Sequence, residues 1–127
     1  MTGLGPYGSS VGVGDGEVRV VSSSGGVKGR KLARFDMMPP AAILELAKVY
    51  GYGEEKYPSD VSGPNFRKGY LFSLSFSAMQ RHLWAWQGGE DVDPESGRQH
   101  LAHAAWHCFC LLSNMVEHPE FDDRFKA

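Results

Sequence analysis

Apolar side chains recur every three or four residues along two long segments and one shorter segment of this 127-residue chain. Such spacing places them on one face of an α-helix, and it predicts helices at residues 41–50, at about 70–87 and at about 93–117. Gly51 and Gly53 are expected to end the first helix, because glycine is favoured just beyond the last helical residue. The pattern therefore predicts an all-α fold, a small helical bundle of one short and two long helices.

Each long helix has an apolar stripe that is predicted to face the core. On the second helix the stripe comprises Phe72, Phe76, Met79, Leu83 and Trp86. On the third helix it comprises Leu101, Ala104, Cys108, Leu111 and Met115, widened by Ala105 and Leu112. Two long helices and one short helix leave apolar surface uncovered, so we expect oligomerisation into a homodimer or homotetramer to complete the core.

The N-terminal region has a different composition from the rest. Residues 1–27 are rich in glycine and serine, which predicts a flexible or extended arm ahead of an all-α domain at residues 28–127. The alternating segment 17–21 is a candidate strand. A single strand is not stable alone, so it is expected to pair with its copy in a neighbouring subunit or to stay loose.

Charge and hydropathy exclude several classes of protein. The chain has 13 Lys and Arg against 15 Asp and Glu, a net charge of −2, which argues against binding to a nucleic acid polymer or an anionic membrane. No apolar run is long enough to span a bilayer, and the first residues lack the pattern of a signal peptide. We therefore expect a cytoplasmic protein.

Histidines and carboxylates cluster around the start of the third helix. His100, His103 and His107 are spaced by three and four residues and share one helical stripe. Clustered carboxylates repel unless a cation compensates them. The candidate ligands of a divalent metal are His100, His103, Glu90, Asp93 and Glu95. The alternative is that the histidines bond neighbouring groups, as favoured for His107, and that Asp93, followed by Pro94, caps the third helix.

A second group of residues has the chemistry of a nucleotide site. Arg81 offers a planar fork for phosphate, and His82 follows it on the second helix. The loop between the first two helices supplies a cation, an amide and two aromatic rings, from Lys56, Tyr57, Asn65 and Phe66. The alternatives are a salt bridge from Arg81 to Glu90 or Glu95 and a solvated loop.

Five sequence blocks carry a resemblance to a known family. In chain order they are Arg34-Phe-Asp36-Met-Met-Pro39, Gly53-x-x-Lys56-Tyr57, Asn65-Phe66, Arg81-His82-Leu-x-Ala85 and Gly89-Glu90-x-x-Asp93-x-Glu95-Ser96-Gly97-x-x-His100-Leu-Ala-His103-Ala104. They resemble the small, mostly bacteriophage family described as the N-terminal domain of dATP/dGTP diphosphohydrolases, over roughly residues 25 to 117. That family is similar to the all-α NTP pyrophosphatases of the MazG-like group.

The resemblance implies a metal-dependent enzyme that converts dATP or dGTP to the monophosphate and pyrophosphate in phage nucleotide-pool metabolism. If a phage encodes the chain, the expected location is the host cytoplasm. The related pyrophosphatases hold Mg²⁺ on Glu-x-x-Glu and Glu-x-x-Asp pairs, whereas this chain has His100-x-x-His103. We therefore expect Mg²⁺, Mn²⁺ or another transition metal.

The hypothesis assigns a role to each group of residues. Glu90 or Glu95 would act as the base, with Arg81 and His82 also catalytic. The residues expected to bind the nucleotide and its phosphates are Arg34, Lys56, Tyr57, Asn65, Phe66 and Arg81, with Lys31 as a further candidate. The alternatives are a non-catalytic protein that sequesters a nucleotide, for example a host immune-signal nucleotide, and a structural protein whose histidines are packed.

Overall fold

The structure is a computed structural model that describes residues 17–126. The chain divides into two units, residues 1–38 and residues 39–127, and each is considered by itself. Most of the predicted arm, residues 1–16, lies outside the described residues. The boundary between the units follows Met38, later than the boundary predicted at residue 27.

The described part of the first unit contains a β-hairpin. Strand β1 (Val18–Val21) pairs antiparallel with β2 (Val27–Arg30), so that the first residue of β1 lies opposite the last residue of β2. In the turn, the Gly25 N–H donates to the Ser22 carbonyl at 2.9 Å, and Gly25 has a φ of +88°. The prediction of a strand here is confirmed. Both expectations for its pairing, with a copy in a neighbouring subunit or with no partner, are wrong, because β2 of the same chain pairs with it.

The first helix of the second unit is longer than predicted. Helix α1 spans Pro40–Lys56, so the prediction that Gly51 and Gly53 end it is wrong. Glycine inside a helix costs about 1 kcal/mol relative to alanine. Packing of α1 against the third helix, which buries Leu46 and Val49, offsets this cost. All three helices are therefore of similar length.

The other two helices pack closely against each other. Helix α2 spans Phe72–Gln87, as predicted to within two residues, and α3 spans His100–Glu117. The prediction that Asp93 caps α3 is wrong. Asp93 instead opens a separate loop, in which its N–H donates to the Arg98 carbonyl at 2.8 Å and its carbonyl accepts from Gly97 at 2.7 Å. No helix within residues 17–126 is long and apolar enough to cross a membrane.

The predicted core faces of α2 and α3 are largely wrong. On α3, Leu101, Leu112 and Met115 are 45%, 65% and 48% exposed. The buried residues of α3 are His100, Ala102, His103, Ala104, Cys110 and Asn114. On α2, Phe72 is buried as predicted, whereas the other fully buried side chain is the polar Ser75, and Phe76 is exposed. Polar side chains face inward because they bond one another across the helix contact, as described below.

Gly69, which follows a short 3₁₀ helix (Asn65–Lys68), lies against residues near the C-terminus of the chain and allows this packing to be tested. Gly69 has a φ of +83°, and a Cβ there would lie 2.7 Å from His118 and 2.9 Å from Phe121. Gly63 has a φ of +101° with open space around it.

We expect Gly69→Ala to lower the free energy of unfolding more than Gly63→Ala does. A positive φ alone costs an alanine about 1 kcal/mol, whereas overpacking adds about 1 to 3 kcal/mol. Urea denaturation of both variants measures the difference. Equal losses would contradict the packing of residues 118–121 against Gly69.

Candidate functional site

Three side chains from different elements converge near the start of α3. One ring nitrogen of His82 on α2, one of His103 on α3 and one carboxylate oxygen of Asp93 in the loop all lie within 4.8 Å of one another. The imidazole rings of His82 and His103 are stacked, with centroids 4.3 Å apart and planes 2° from parallel. We call these three residues the histidine cluster.

His100 lies beside the histidine cluster and uses both of its ring nitrogens. Its Nε2 is 2.7 Å from Oε1 of Glu90, and its Nδ1 is 2.9 Å from Nδ1 of His82. His100 is only 4% exposed. The backbone supports this contact, because the Glu90 N–H donates to the Ala85 carbonyl at 3.1 Å and the His100 N–H donates to the Asp91 carbonyl at 2.9 Å.

Ser96 holds the other side of the histidine cluster. Its hydroxyl oxygen is 2.7 Å from Nε2 of His103 and 3.3 Å from Oδ2 of Asp93. The Arg98 N–H donates to the same hydroxyl at 3.1 Å, and the Glu95 N–H donates to Oδ1 of Asp93 at 3.1 Å. The loop between α2 and α3 therefore fixes Asp93 and His103 relative to each other.

Burial favours the neutral form of three histidines. It lowers the pKa of His82 to about 4 and the pKa of His107 to about 4, and it also lowers the pKa of His103. The neighbouring imidazoles act in the same direction, because a second positive charge close by is unfavourable. These side chains are therefore neutral near pH 7, the form in which imidazole binds metals.

The histidine cluster has the donor set of a transition-metal site. Two neutral imidazoles and one carboxylate suit Mn²⁺, Fe²⁺, Co²⁺ or Zn²⁺ better than Mg²⁺, which prefers oxygen ligands. A metal about 2.1 Å from each ligand requires ligand atoms within about 4.2 Å of one another. Because the lone pair of an imidazole nitrogen lies in the ring plane, the parallel rings of His82 and His103 would also have to tilt toward each other to share an ion. His82, predicted as catalytic, thus joins the predicted ligands Asp93 and His103.

Three predicted metal ligands, Glu90, Glu95 and His100, lie outside the histidine cluster. Glu90 bonds His100, as described above. Glu95 is exposed, and its Oε2 accepts hydrogen bonds from the Tyr52 hydroxyl at 2.7 Å and from Nζ of Lys56 at 2.9 Å. These two donors lower the pKa of Glu95. Both donors lie in the part of α1 beyond residue 50, which the sequence did not predict.

A cavity of about 500 Å³ opens beside the histidine cluster. Its lining includes His103 and Glu95 at one part of the wall and the aromatic rings of Tyr50, Phe66 and Trp106 at another. These three rings pack against one another, with centroids 5.6 to 5.9 Å apart. A volume between about 300 and 1,000 Å³ is usual for small-molecule sites.

The cavity brings together most of the residues predicted to bind a nucleotide. The predicted residues in its lining are Lys56, Tyr57, Asn65, Phe66 and Arg81. The Arg81 guanidinium donates to the Ser77 hydroxyl at 3.2 Å, and within residues 17–126 it makes no salt bridge to Glu90 or Glu95. Arg34 belongs to the first unit, where it makes two bonds to Asp36 at 2.7 and 2.8 Å. Its contribution to a nucleotide site stays a prediction, as does that of Lys31.

Several residues of the site were not predicted as site residues. Nδ1 of His107 lies 3.0 Å from the buried hydroxyl of Ser75, which also lies 2.7 Å from the Tyr70 hydroxyl. Within residues 17–126, Nε1 of Trp106 is buried without a hydrogen-bond partner. The helical spacing of His107 was the only sequence signal among these residues, because neither Ser75 nor Trp106 belongs to a repeated pattern.

Comparison with known proteins identifies the family. The family model described as "dATP/dGTP diphosphohydrolase, N-terminal" matches residues 22–124. The chain belongs to this family. A dATP/dGTP diphosphohydrolase of Salmonella phage PMBT28 is 33% identical over 95 residues, which cover 72% of this chain and 30% of the phage protein. The chain thus spans about 30% of the length of the curated relative that it matches.

The family assignment confirms the resemblance inferred from the five sequence blocks. The relation of the family to the MazG-like pyrophosphatases stays a prediction. No solved structure matches the chain.

We expect Tyr52→Phe to raise the pKa of the Glu95 carboxyl toward its ordinary value. The Tyr52 hydroxyl is the largest of the influences that stabilise the charged form, and its loss removes one of two donors. An NMR titration of the side-chain carboxyl carbon measures the change. Tyr57→Phe, which removes a hydroxyl beside the same helix end, serves as the control. An unchanged Glu95 pKa in Tyr52→Phe would contradict the Tyr52–Glu95 contact.

Proposed function

We propose that the protein is a metal-dependent diphosphohydrolase of purine deoxynucleoside triphosphates, which converts dATP or dGTP to the monophosphate and pyrophosphate. The name of the Salmonella phage relative supports this reaction at the level of the family. The observation that carries the proposal for this chain is the cavity, which joins an aromatic wall, two cations and His103 in one space. The phage source of this relative supports a proposed role in phage nucleotide-pool metabolism.

The cavity suggests where each part of the nucleotide would lie. Phe66 and Trp106 offer aromatic faces and edges for a purine, and Asn65 offers an amide that can bond the edge of the base. Lys56 and Arg81 would bind the phosphates, because the planar guanidinium can bond two phosphate oxygens at once. The triphosphate would therefore extend from the aromatic wall toward His103.

The histidine cluster and Glu95 would serve the reacting end. His82, Asp93 and His103 would hold a divalent cation, which supplies positive charge at the α-phosphate and lowers the pKa of an attacking water. Tyr52 and Lys56 both bond Oε2 of Glu95. Oε1 of Glu95 would accept a proton from the water, and Arg81 would stabilise the charge that develops on the phosphate.

The first experiment separates the products formed from each dNTP and NTP in the presence of Mg²⁺, Mn²⁺, Co²⁺ or EDTA. We expect a monophosphate and pyrophosphate from dATP or dGTP, and no reaction with EDTA. Binding of a nucleotide without any turnover would instead support the sequestering alternative. If the chain neither binds nor hydrolyses any of these nucleotides, both the hydrolase and the sequestering function are contradicted.

We expect Arg81→Ala to reduce kcat/KM for the preferred dNTP by about 100-fold, because a positioned cation stabilises the transition state. Arg81→Lys should recover only part of the activity, since lysine lacks the planar fork. Steady-state kinetics with the folded variants measures both effects. Lys68→Ala, which removes a cation that bonds Asp60 outside the cavity, is the control. Equal kcat/KM values for Arg81→Ala and Lys68→Ala would contradict the role of Arg81.

The exposed face of α3 supports the expected self-association. Leu101, Phe109, Leu112, Met115 and Val116 lie on one side of the helix, opposite the buried histidines, and each is 43% or more exposed. A contiguous apolar face of this kind is usually covered in solution. We propose that a second copy of the chain covers it.

We expect Leu112→Glu to convert the assembly to a monomer of about 14.0 kDa, because a buried charge at the centre of an apolar interface is strongly unfavourable. Light scattering coupled to size-exclusion chromatography measures the mass. Val61→Glu introduces the same charge at an exposed apolar residue away from α3 and should leave the mass unchanged. A monomeric wild-type protein would contradict the proposed interface.

A further inference from the structure

We propose that Glu90 and His100 act as a positioning pair for a transition-metal site whose ligands are His82, Asp93 and His103. In this arrangement Glu90 determines which ring nitrogen is protonated, first on His100 and then on His82. Nε2 of His82 then has the free lone pair that binds the metal ion. The inference rests on the metal dependence of the proposed function and deepens it. It assigns His100, a predicted ligand, a different role.

The first step of the argument concerns the ring nitrogens of His100. Nε2 faces the Glu90 carboxylate at 2.7 Å, and Nδ1 faces Nδ1 of His82 at 2.9 Å. Both nitrogens of His100 are therefore engaged by protein groups. His100 is also buried, whereas 54% of the Glu90 side chain is exposed. His100 therefore connects the loop carboxylate to the cluster and is not itself a ligand.

The second step concerns the direction of the hydrogen bonds. An ionised carboxylate only accepts, so Nε2 of His100 carries the proton that faces Glu90. In the proposed arrangement His100 is neutral, so its single N–H is at Nε2 and its Nδ1 is the acceptor. Nδ1 of His82 must then donate to it. The remaining nitrogen of His82, Nε2, consequently has a free lone pair, as metal binding requires.

The third step concerns the other two ligands. The Ser96 hydroxyl lies 2.7 Å from His103 and 3.3 Å from Asp93, and it is itself held by the Arg98 N–H. One loop thus carries both supports, Glu90 for His82 and Ser96 for His103. Groups of this kind orient metal ligands and commonly affect metal affinity by about 10- to 100-fold. Two imidazoles and one carboxylate also favour Mn²⁺, Co²⁺ or Zn²⁺ over Mg²⁺.

The experiment uses the full chain, stripped of metal with EDTA and titrated with Co²⁺ by calorimetry. Glu90→Ala should weaken Co²⁺ binding by about 10- to 100-fold. Asp91→Ala removes a carboxylate from the adjacent position of the same loop and should change the affinity by less than about twofold. His82→Ala and His103→Ala should each abolish binding. Mg²⁺ should bind the wild-type chain much more weakly than Co²⁺.

A second measurement reports the proton positions directly. Long-range ¹H–¹⁵N spectra of the metal-free chain should show His82 protonated at Nδ1 and His100 protonated at Nε2. In Glu90→Ala the His82 proton should distribute over both nitrogens. Because Glu90 is largely exposed, this variant is expected to fold, and thermal unfolding verifies that it does.

Three results would overturn the inference. The first is equal Co²⁺ affinity in Glu90→Ala and Asp91→Ala. The second is a His82 proton on Nε2. The third is that a folded His100→Gln variant loses Co²⁺ binding as completely as His82→Ala does. That result would make His100 a ligand.

The inference and the proposed function fail separately. Co²⁺ binding with the expected variant pattern but no nucleotide turnover would contradict the proposed function alone. Hydrolysis of dATP or dGTP together with Co²⁺ binding that survives His82→Ala and His103→Ala would contradict the inference alone.

Discussion

Hydrogen bonds between buried polar side chains fix how α2 lies against α3, and the candidate site depends on them. The Ser75 hydroxyl contacts both Tyr70 and His107, and further along the same interface His82 meets His100. An unpaired polar group in such a place costs about 1 to 3 kcal/mol, so a shift of one helix along the other would break several bonds at once. The stacking of His82 on His103 is a consequence of this alignment.

The same interface explains why the apolar side of α3 faces outward. A helix can bury only one of two opposite faces against a single neighbouring layer, and on α3 the histidine face occupies that position. The leucine and methionine side is left at the surface, where a second copy would cover it. Because the candidate site lies in the contact between α2 and α3, apolar side chains of α3 remain at the surface, where the proposed association would bury them. The histidine face of α3 is turned inward and forms the site, and for the same reason its apolar face is turned outward and is available for the proposed interface.

The sequence predicted the type of fold better than its packing. Three helices were predicted from apolar spacing, and the second helix was placed to within two residues. The faces were wrong because spacing measures where apolar residues lie, whereas burial here was decided by pairing of Ser75 and the histidines. The cavity residues Lys56, Asn65 and Arg81 were found from their chemistry. Trp106 and Ser96 were not, because their roles arise only when separate elements meet.

The histidines also separate this chain from a carboxylate-based magnesium site. Where the MazG-like pyrophosphatases have a Glu-x-x-Asp pair, this chain has His100 and His103, which carry no negative charge. A site with less negative charge repels a triphosphate less, but it binds Mg²⁺ poorly and depends on a metal that accepts imidazole. Neutral histidines are then essential, because a protonated imidazole cannot bind a cation. The burial that lowers the pKa of His82 and His103 results from the helix packing, and it would keep both imidazoles in the form that the proposed metal site requires.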